Sequence, residues 1–164
     1  MPFTPFHLCP ALFLGLLLFS AVHLPTFLVA HVIVDLESFS VLIFRLNYPL
    51  HSFFHSLLDG SIVAVMLSLV MVKVDERIQK IMRFFKLKEE YSKRSIWLAS
   101  FLGVYLHIFL DSFLYTDIKP FFPIPSNLFY DGSVFTGLIY GLCVLSFFLG
   151  IGLYIFKIIN QDRF

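Results

Sequence analysis

Charged residues are scarce in this chain of 164 residues. Asp, Glu, Lys and Arg together make up 14% of it, whereas a soluble domain has about 25%. Hydrophobic residues make up 59%, and the mean hydropathy is +0.87. This composition argues against a soluble globular protein, and the length suits one domain. We therefore predict an integral membrane protein with a single domain over residues 1–164.

Cysteine is nearly absent. Cys9 and Cys143 stand alone in apolar runs and form no Cys-x-x-Cys pair. The pattern argues against both a disulfide framework and a thiolate metal site. The first residues also lack the basic flank of a secretory signal, so residues 10–22 are expected to be structure and not a cleaved leader.

Positive charge is concentrated in one segment. Eight of the twelve Lys and Arg residues fall between Lys73 and Arg94. The positive-inside rule places this segment in the cytoplasm. Residues 75–95 are expected to form a basic amphipathic connector, either as a short interfacial helix or as a solvated loop. Anionic lipid beside the membrane accounts for the positive charge, so we expect no nucleic-acid partner.

Long apolar runs cover about residues 52–72, 96–115 and 132–156. Each is long enough to span a hydrocarbon core of about 30 Å, which takes about 20 helical residues. With the basic connector inside, the C-terminal residues are also cytoplasmic. We expect a multi-pass protein of the plasma (inner) membrane with membrane lipid as its partner; the sequence does not indicate the oligomeric state.

The first forty residues have two interpretations. They form either one span from Leu12 to Val34, interrupted by Pro25, or two short helices over about residues 6–22 and 25–39. We favour the second, because Pro25 suits the first turn of a helix, where its missing N–H costs nothing. The predicted fold is an all-α, polytopic membrane bundle of about five membrane-embedded helices. The first two form a short N-terminal hairpin.

The segment 117–131 contains Pro120, Pro123 and Pro125. Proline interrupts helical hydrogen bonding, so no regular helix is expected through this segment. It forms either an ordered extracytoplasmic cap or a rigid connector.

A histidine precedes an aspartate by four residues at three places. These pairs are His31/Asp35, His55/Asp59 and His107/Asp111. If the six histidines and seven aspartates were placed at random in 164 residues, about 0.26 pairs would be expected. Side chains four apart share one helix face, so a ring nitrogen and a carboxylate oxygen can reach one cation. His51 extends this pattern to His51, His55 and Asp59. The pattern indicates a divalent-metal site, with interhelical His–Asp hydrogen bonds as the alternative.

Several short motifs carry these residues in order. They are "TPFHL" with His7, "VIVDLESF" with Asp35 and Glu37, "HSFFHSLL" with His55, and "YLHIFLDSF…DIKPFFP" with His107 and Asp111. In type and order they resemble the YdjM-like membrane-bound metal-dependent hydrolases, a family of small prokaryotic inner-membrane proteins. That family is distantly similar to the zinc-dependent phospholipases C and single-strand nucleases.

The resemblance implies a hydrolase that acts at the extracytoplasmic membrane face on a phosphoester or lipid-linked substrate. Its implied cofactor is one or two divalent ions, with zinc as the first choice and manganese as the second. The implied metal ligands are His7, Asp35, His55, His107 and Asp111.

Four further residues are candidates for catalysis or substrate binding. Glu37, Asp59 and His51 lie beside the ligand motifs and are predicted to act as general base or to orient a ligand. Lys119 is predicted to attract a phosphate. The alternative is a snorkelling lysine, whose apolar stem lies along the membrane while its ammonium group reaches water.

Two other functions are weighed against the hydrolase. One is a non-catalytic divalent-metal binder or an ion-translocating protein, because ionisable residues within a membrane mark ion paths as well as active sites. The other is a serine hydrolase using Ser56 or Ser112, which the missing Gly-x-Ser-x-Gly elbow disfavours.

Overall fold

The computed structural model describes residues 4–51, 54–87, 91–130 and 134–160. The described residues form six α-helices and no strand, which confirms the predicted all-α class. The helices are α1 (Thr4–Leu17), α2 (Leu24–Ile33), α3 (Leu36–Ile43), α4 (Leu57–Phe84), α5 (Lys93–Ser112) and α6 (Val134–Asn160).

Three helices in the described part of the chain, α4, α5 and α6, are long and apolar enough to cross a membrane. The pair α2 and α3 is bent by 40° and qualifies together as a fourth candidate, either as a broken span or as a re-entrant loop. Helix α1 is apolar but shorter. These three to four candidate spans support a membrane protein, whereas the total of about five membrane-embedded helices stays a prediction.

The N-terminal region is not one continuous helix. Helix α1 ends at Leu17, and α2 begins at Leu24 with Pro25 in its first turn. The second predicted arm, residues 25–39, is itself broken, because α2 ends at Ile33 and α3 begins at Leu36. Asp35 lies at this break, where its backbone and that of Val34 both have right-handed helical dihedral angles. How α1 and α2 are arranged relative to the membrane stays a prediction.

The basic segment begins as a continuation of α4, and a separate interfacial helix over residues 75–84 is therefore wrong. Helix α4 runs for 28 residues to Phe84, because residues 73–84 contain neither glycine nor proline. Ile78 and Met82 pack against the interior, whereas Ile81 is exposed. Residues 88–90 of the predicted connector lie outside the described residues.

The proline-rich segment contains no helix over residues 113–130, as predicted. It is held against the ends of α4 and α5 by backbone and side-chain hydrogen bonds. The Leu57 N–H donates to the Pro120 carbonyl at 2.9 Å, and the Asn127 amide donates to the Ser112 and Tyr115 carbonyls at 2.7 and 2.8 Å. These contacts favour an ordered cap over a mere connector. Asp131, the last residue of the predicted cap, lies outside the described residues.

Helix α5 is central, since it packs against both α2 and α4. Gly103 makes the approach to α2 possible, because a Cβ at this position would lie 2.4 Å from the Ala30 Cβ. The core beneath this contact contains Ala64, Val104 and Ile108. The packing brings the break between α2 and α3 beside the C-terminal half of α5.

Candidate functional site

Four ionisable side chains from different parts of the chain meet at one end of the bundle. They are His7 from α1, Asp35 from the break between α2 and α3, and His107 and Asp111 from α5. The Asp111 carboxylate lies 3.0 Å from His7 Nε2 and 3.4 Å from His107 Nε2. His107 Nε2 is also 3.5 Å from Asp35 Oδ1. One potential ligand atom from each side chain lies within 4.8 Å of all the others.

A second group shares Asp111 with the first. It consists of His51, His55 and Asp111, whose potential ligand atoms also lie within 4.8 Å of one another. The His51 and His55 rings are 4.8 Å apart between centroids, and the His55 and His107 rings are 5.7 Å apart. We call the six side chains of the two groups the His/Asp cluster. It contains all five predicted metal ligands together with His51.

His107 is oriented by a backbone carbonyl. Its Nδ1 donates to the His31 carbonyl oxygen at 2.9 Å. A carbonyl oxygen only accepts, so Nδ1 carries a proton; in the neutral ring, the form that binds a metal, Nε2 then has its lone pair towards Asp35 and Asp111. Metal-binding histidines are typically held in this way, with the second ring nitrogen donating to a carbonyl or carboxylate.

His55 and His51 are oriented by carboxylates. His55 Nδ1 lies 3.1 Å from Glu37 Oε2, which also accepts the Phe54 N–H at 2.9 Å. His51 Nδ1 lies 3.0 Å from Asp117 Oδ2. Burial lowers the pKa of His55, so its imidazole is neutral near pH 7, which is the form that binds a metal.

Several atoms of the cluster are buried without a hydrogen-bond partner. They include Nε2 of His55, Nε2 of His107 and Oδ1 of Asp111. Although Asp111 Oδ1 lies 3.0 Å from His7 Nε2, the two atoms do not have hydrogen-bond geometry. An unsatisfied buried polar group costs about 1–3 kcal/mol. Imidazole nitrogens and carboxylate oxygens that converge in this way fit the donor set of a zinc site.

Asp59 takes a different position from the one its spacing suggests. Ser56 is the N-cap of α4, and its Oγ accepts the Asp59 N–H at 3.0 Å and donates to Asp59 Oδ2 at 2.8 Å. Because α4 begins at Leu57, the predicted helix face shared by His51, His55 and Asp59 is wrong. The Ser-x-x-Asp spacing is itself a capping signal. Of the three His-x-x-x-Asp pairs, only His107 and Asp111 lie together on one helix in direct contact.

A polar cavity of about 480 Å³ adjoins the cluster. Its polar lining consists of His51, Ser56, Asp59, Asp117 and Lys119. Two predicted residues, Asp59 and Lys119, thus lie in this cavity and not among the potential metal ligands. His51 belongs to both the cavity and the cluster.

The two remaining histidines lie outside the cluster. His31 is fully buried, and its Nδ1 is 3.0 Å from the Phe27 carbonyl. His23 is fully buried at the opposite end of the bundle, where its ring contacts Thr26 at 2.6 Å and Asp75 at 3.2 Å. His23 therefore joins the turn before α2 to the basic part of α4.

Sequence reasoning missed two residues beside His51. Asp117 contacts its Nδ1, and the Tyr115 ring stacks on it with centroids 4.2 Å apart. Asp117 lies in the cap and Tyr115 lies just before it, where no helical period applies. The hydrogen bond between His51 and Asp117 joins residues 66 positions apart, so no local pattern would have found it.

Comparisons of the chain with protein-family models, with curated proteins and with solved structures give no match. The resemblance to the YdjM-like hydrolases therefore rests on the motif residues alone, and membership of that family stays a prediction.

Proposed function

We propose that this protein is a metal-dependent hydrolase that acts at the extracytoplasmic face of the membrane on a phosphoester or lipid-linked substrate, as in the YdjM-like family. One observation carries the proposal. Buried nitrogen and oxygen atoms of the His/Asp cluster converge without hydrogen-bond partners, and two of the histidines that bear them, His55 and His107, are held through their other ring nitrogen.

The two groups suggest two metal positions. His7, Asp35, His107 and Asp111 supply two nitrogens and two oxygens, which suits the four-coordinate preference of zinc. His51, His55 and Asp111 supply three ligands, the number typical of a catalytic zinc that keeps one position open. The proposal is one or two divalent ions, with zinc preferred over manganese.

Interhelical His–Asp hydrogen bonds account for the cluster less well. A network of hydrogen bonds alone leaves His55 Nε2 buried and unsatisfied. It also leaves the Asp111 carboxylate, which is only 1% exposed, without full compensation. A bound divalent ion would accept the lone pair of His55 Nε2 and compensate the negative charge of Asp111. The free energy of metal binding would then contribute to the free energy of folding.

The residues around the cluster have separable roles in this proposal. A divalent metal held by the His/Asp cluster would supply activation of water and stabilisation of negative charge on a phosphoryl oxygen. Glu37 and Asp117 orient His55 and His51 as positioning residues. Asp59 lines the polar cavity and is the candidate proton acceptor, while Lys119 binds a phosphoryl oxygen of the substrate.

The proposed orientation rests on the separation of the two polar ends. Asp111 and Ser95 lie on α5 sixteen residues apart, which is about 24 Å along a helix. Ser95 accepts the His23 N–H, and His23 contacts Asp75 in the basic part of α4. The basic end is cytoplasmic by the positive-inside rule, so the His/Asp cluster faces outside and the C-terminus lies in the cytoplasm.

An ion-translocation pathway has less support. Such a path requires polar groups through the membrane depth. Between the two polar ends, the described core includes the apolar side chains Ala64, Leu67 and Val104 and the hydroxyls of Ser68 and Ser100. None of these five side chains is ionisable.

Hydrolysis assays test the proposal. Detergent-purified protein stripped with a chelator should be inactive towards phosphodiester and phospholipid analogues, and Zn²⁺ or Mn²⁺ should restore activity. Asp111→Asn should abolish the restored activity, whereas Asp75→Asn, a matched change at the opposite end, should preserve it. If the metal-loaded protein cleaves no phosphoester, ester or amide in a broad panel, the hydrolase proposal fails and non-catalytic metal binding replaces it.

A further inference from the structure

An apolar groove of about 430 Å³ follows one side of α5. Leu102, Leu106 and Phe109 of α5 line it, with Leu14 of α1 on one side and Leu57 of α4 on the other. Leu102 and Phe109 are exposed, so the groove opens towards the bilayer. Pro120 and Phe121 of the cap also line it.

The apolar groove and the polar cavity are immediate neighbours. Ser56 and Lys119 line the cavity, whereas the residues that follow them in the chain, Leu57 and Pro120, line the groove. The hydrogen bond from the Leu57 N–H to the Pro120 carbonyl therefore forms part of the wall between them. Both volumes lie in the range of small-molecule sites, about 300–1,000 Å³. An amphiphile that crosses this wall can place an apolar chain on one side and a polar head on the other.

The charges in the polar cavity are of both signs. Lys119 is cationic, whereas Asp59 and Asp117 are anionic. A headgroup with negative charge alone would meet two carboxylates, and like charges in contact are unfavourable. A zwitterionic headgroup matches the cavity, with its phosphate towards Lys119 and its ammonium towards Asp59 and Asp117.

We propose that the apolar groove and the polar cavity together bind one zwitterionic phospholipid of the phosphoethanolamine type. One acyl chain lies against Leu102, Leu106 and Phe109, and the headgroup lies between Lys119 and the two carboxylates. That this lipid is a substrate rests on the proposed hydrolase function, but its binding does not require turnover.

Lipid binding can be measured without catalysis. Chelator-treated, delipidated protein in detergent is mixed with phosphatidylethanolamine or phosphatidylglycerol, and native mass spectrometry counts the lipids retained per chain. We expect one phosphatidylethanolamine per chain. Phosphatidylglycerol should bind at least about tenfold more weakly than phosphatidylethanolamine. Asp117→Asn should reduce this ratio of affinities, because it removes one of the two carboxylates.

Substitutions that fill the groove provide the structural test. Leu106→Trp should displace the acyl chain and lower phosphatidylethanolamine retention at least about tenfold. Leu102→Trp should do the same from an exposed position that tolerates a larger side chain. Leu145→Trp is the control, because Leu145 is exposed on α6 and is not among the groove residues.

Two results would overturn the assignment. One is equal lipid retention by Leu102→Trp, Leu106→Trp and Leu145→Trp, which indicates a nonspecific lipid shell. The other is equal retention of the two lipids by the unmodified chain. If the protein binds phosphatidylethanolamine as described but hydrolyses nothing, the lipid site is supported and the hydrolase function is refuted. If metal activates hydrolysis but phosphatidylethanolamine is not retained in preference to phosphatidylglycerol, the hydrolase function is supported and the lipid site is refuted.

Discussion

Among individual residues, Glu37 and Asp59 differ in their surroundings. One oxygen, Oε2, accepts from both the Phe54 N–H and His55 Nδ1, and the Glu37 side chain is only 8% exposed. These two contacts fix the carboxylate against His55. Asp59, in contrast, lines the polar cavity. Within the proposed function, Glu37 therefore orients a metal ligand and Asp59 is the proton acceptor.

Conservative substitutions separate these two roles. Glu37→Gln should weaken metal affinity by about 10–100-fold, the usual cost of losing a ligand's supporting carboxylate, and excess metal should restore activity. Asp59→Asn should retain metal and lower turnover by about 10²–10⁴-fold, the usual contribution of a positioned base. Metal titrations combined with turnover measurements check both. Unchanged metal affinity in Glu37→Gln, together with lost turnover, would contradict the assignment.

The predictability of individual residues depended on whether a helix connects them. His107 and Asp111 are four apart on α5, so helical geometry brought them together as predicted. The contact between His55 and Glu37 spans 18 positions and crosses a helix boundary. Both residues could be identified as candidates from the sequence, but their contact with each other could not be predicted.

At the element scale, the cluster depends on how closely α2 approaches α5. Gly103 allows this approach, and His107 lies one helical turn further along α5. The carbonyl that orients His107 belongs to His31, at the end of α2. Asp35 lies in the break between α2 and α3, four residues after His31. A displacement of α2 should therefore disturb both the orientation of His107 and the position of Asp35.

Glycine substitutions test this dependence. Gly103→Ala places a Cβ 2.4 Å from the Ala30 Cβ; such overpacking costs about 1–3 kcal/mol and should lower both the melting temperature and the metal affinity. Gly141→Ala is the matched control, because a Cβ there has no neighbour within 4 Å. It should leave metal affinity unchanged and should not lower the melting temperature. Equal behaviour of the two variants would show that the contact between α2 and α5 does not support the cluster.

Helix existence was easier to predict than helix ends. The apolar runs at about residues 96–115 and 132–156 correspond to α5 and α6, because an apolar run of this length is a strong signal. The end of α4 was missed because hydropathy falls at Lys73 while the helix continues to Phe84. Hydropathy indicates burial in lipid, whereas a helix ends only where its hydrogen bonding is interrupted.

At the scale of the whole molecule, the two ends of the bundle differ in chemistry. One end carries the His/Asp cluster and the cap, and the other carries His23, Asp75 and the basic part of α4. The proposed orientation places the first end outside the cell. This assignment comes from charge distribution and can be checked without any assay of function.

Cysteine labelling checks the orientation. In a background without Cys9 and Cys143, single cysteines at Lys86 and Ser126 should react with an impermeant reagent from opposite faces of the membrane. Both positions are exposed. Ser126 should react in intact cells and Lys86 only after permeabilisation. Reaction of both from one face would refute the topology between α4 and the cap.

Elemental analysis of the purified protein measures whether the His/Asp cluster holds a divalent metal, as proposed. The unmodified chain should contain one or two divalent ions per molecule, with zinc the most abundant. His107→Ala and Asp111→Asn should each lose bound metal, whereas His23→Gln, a change at the opposite end, should retain it. Folded protein without stoichiometric metal, or full metal content in both cluster variants, would show that the cluster is not a metal site.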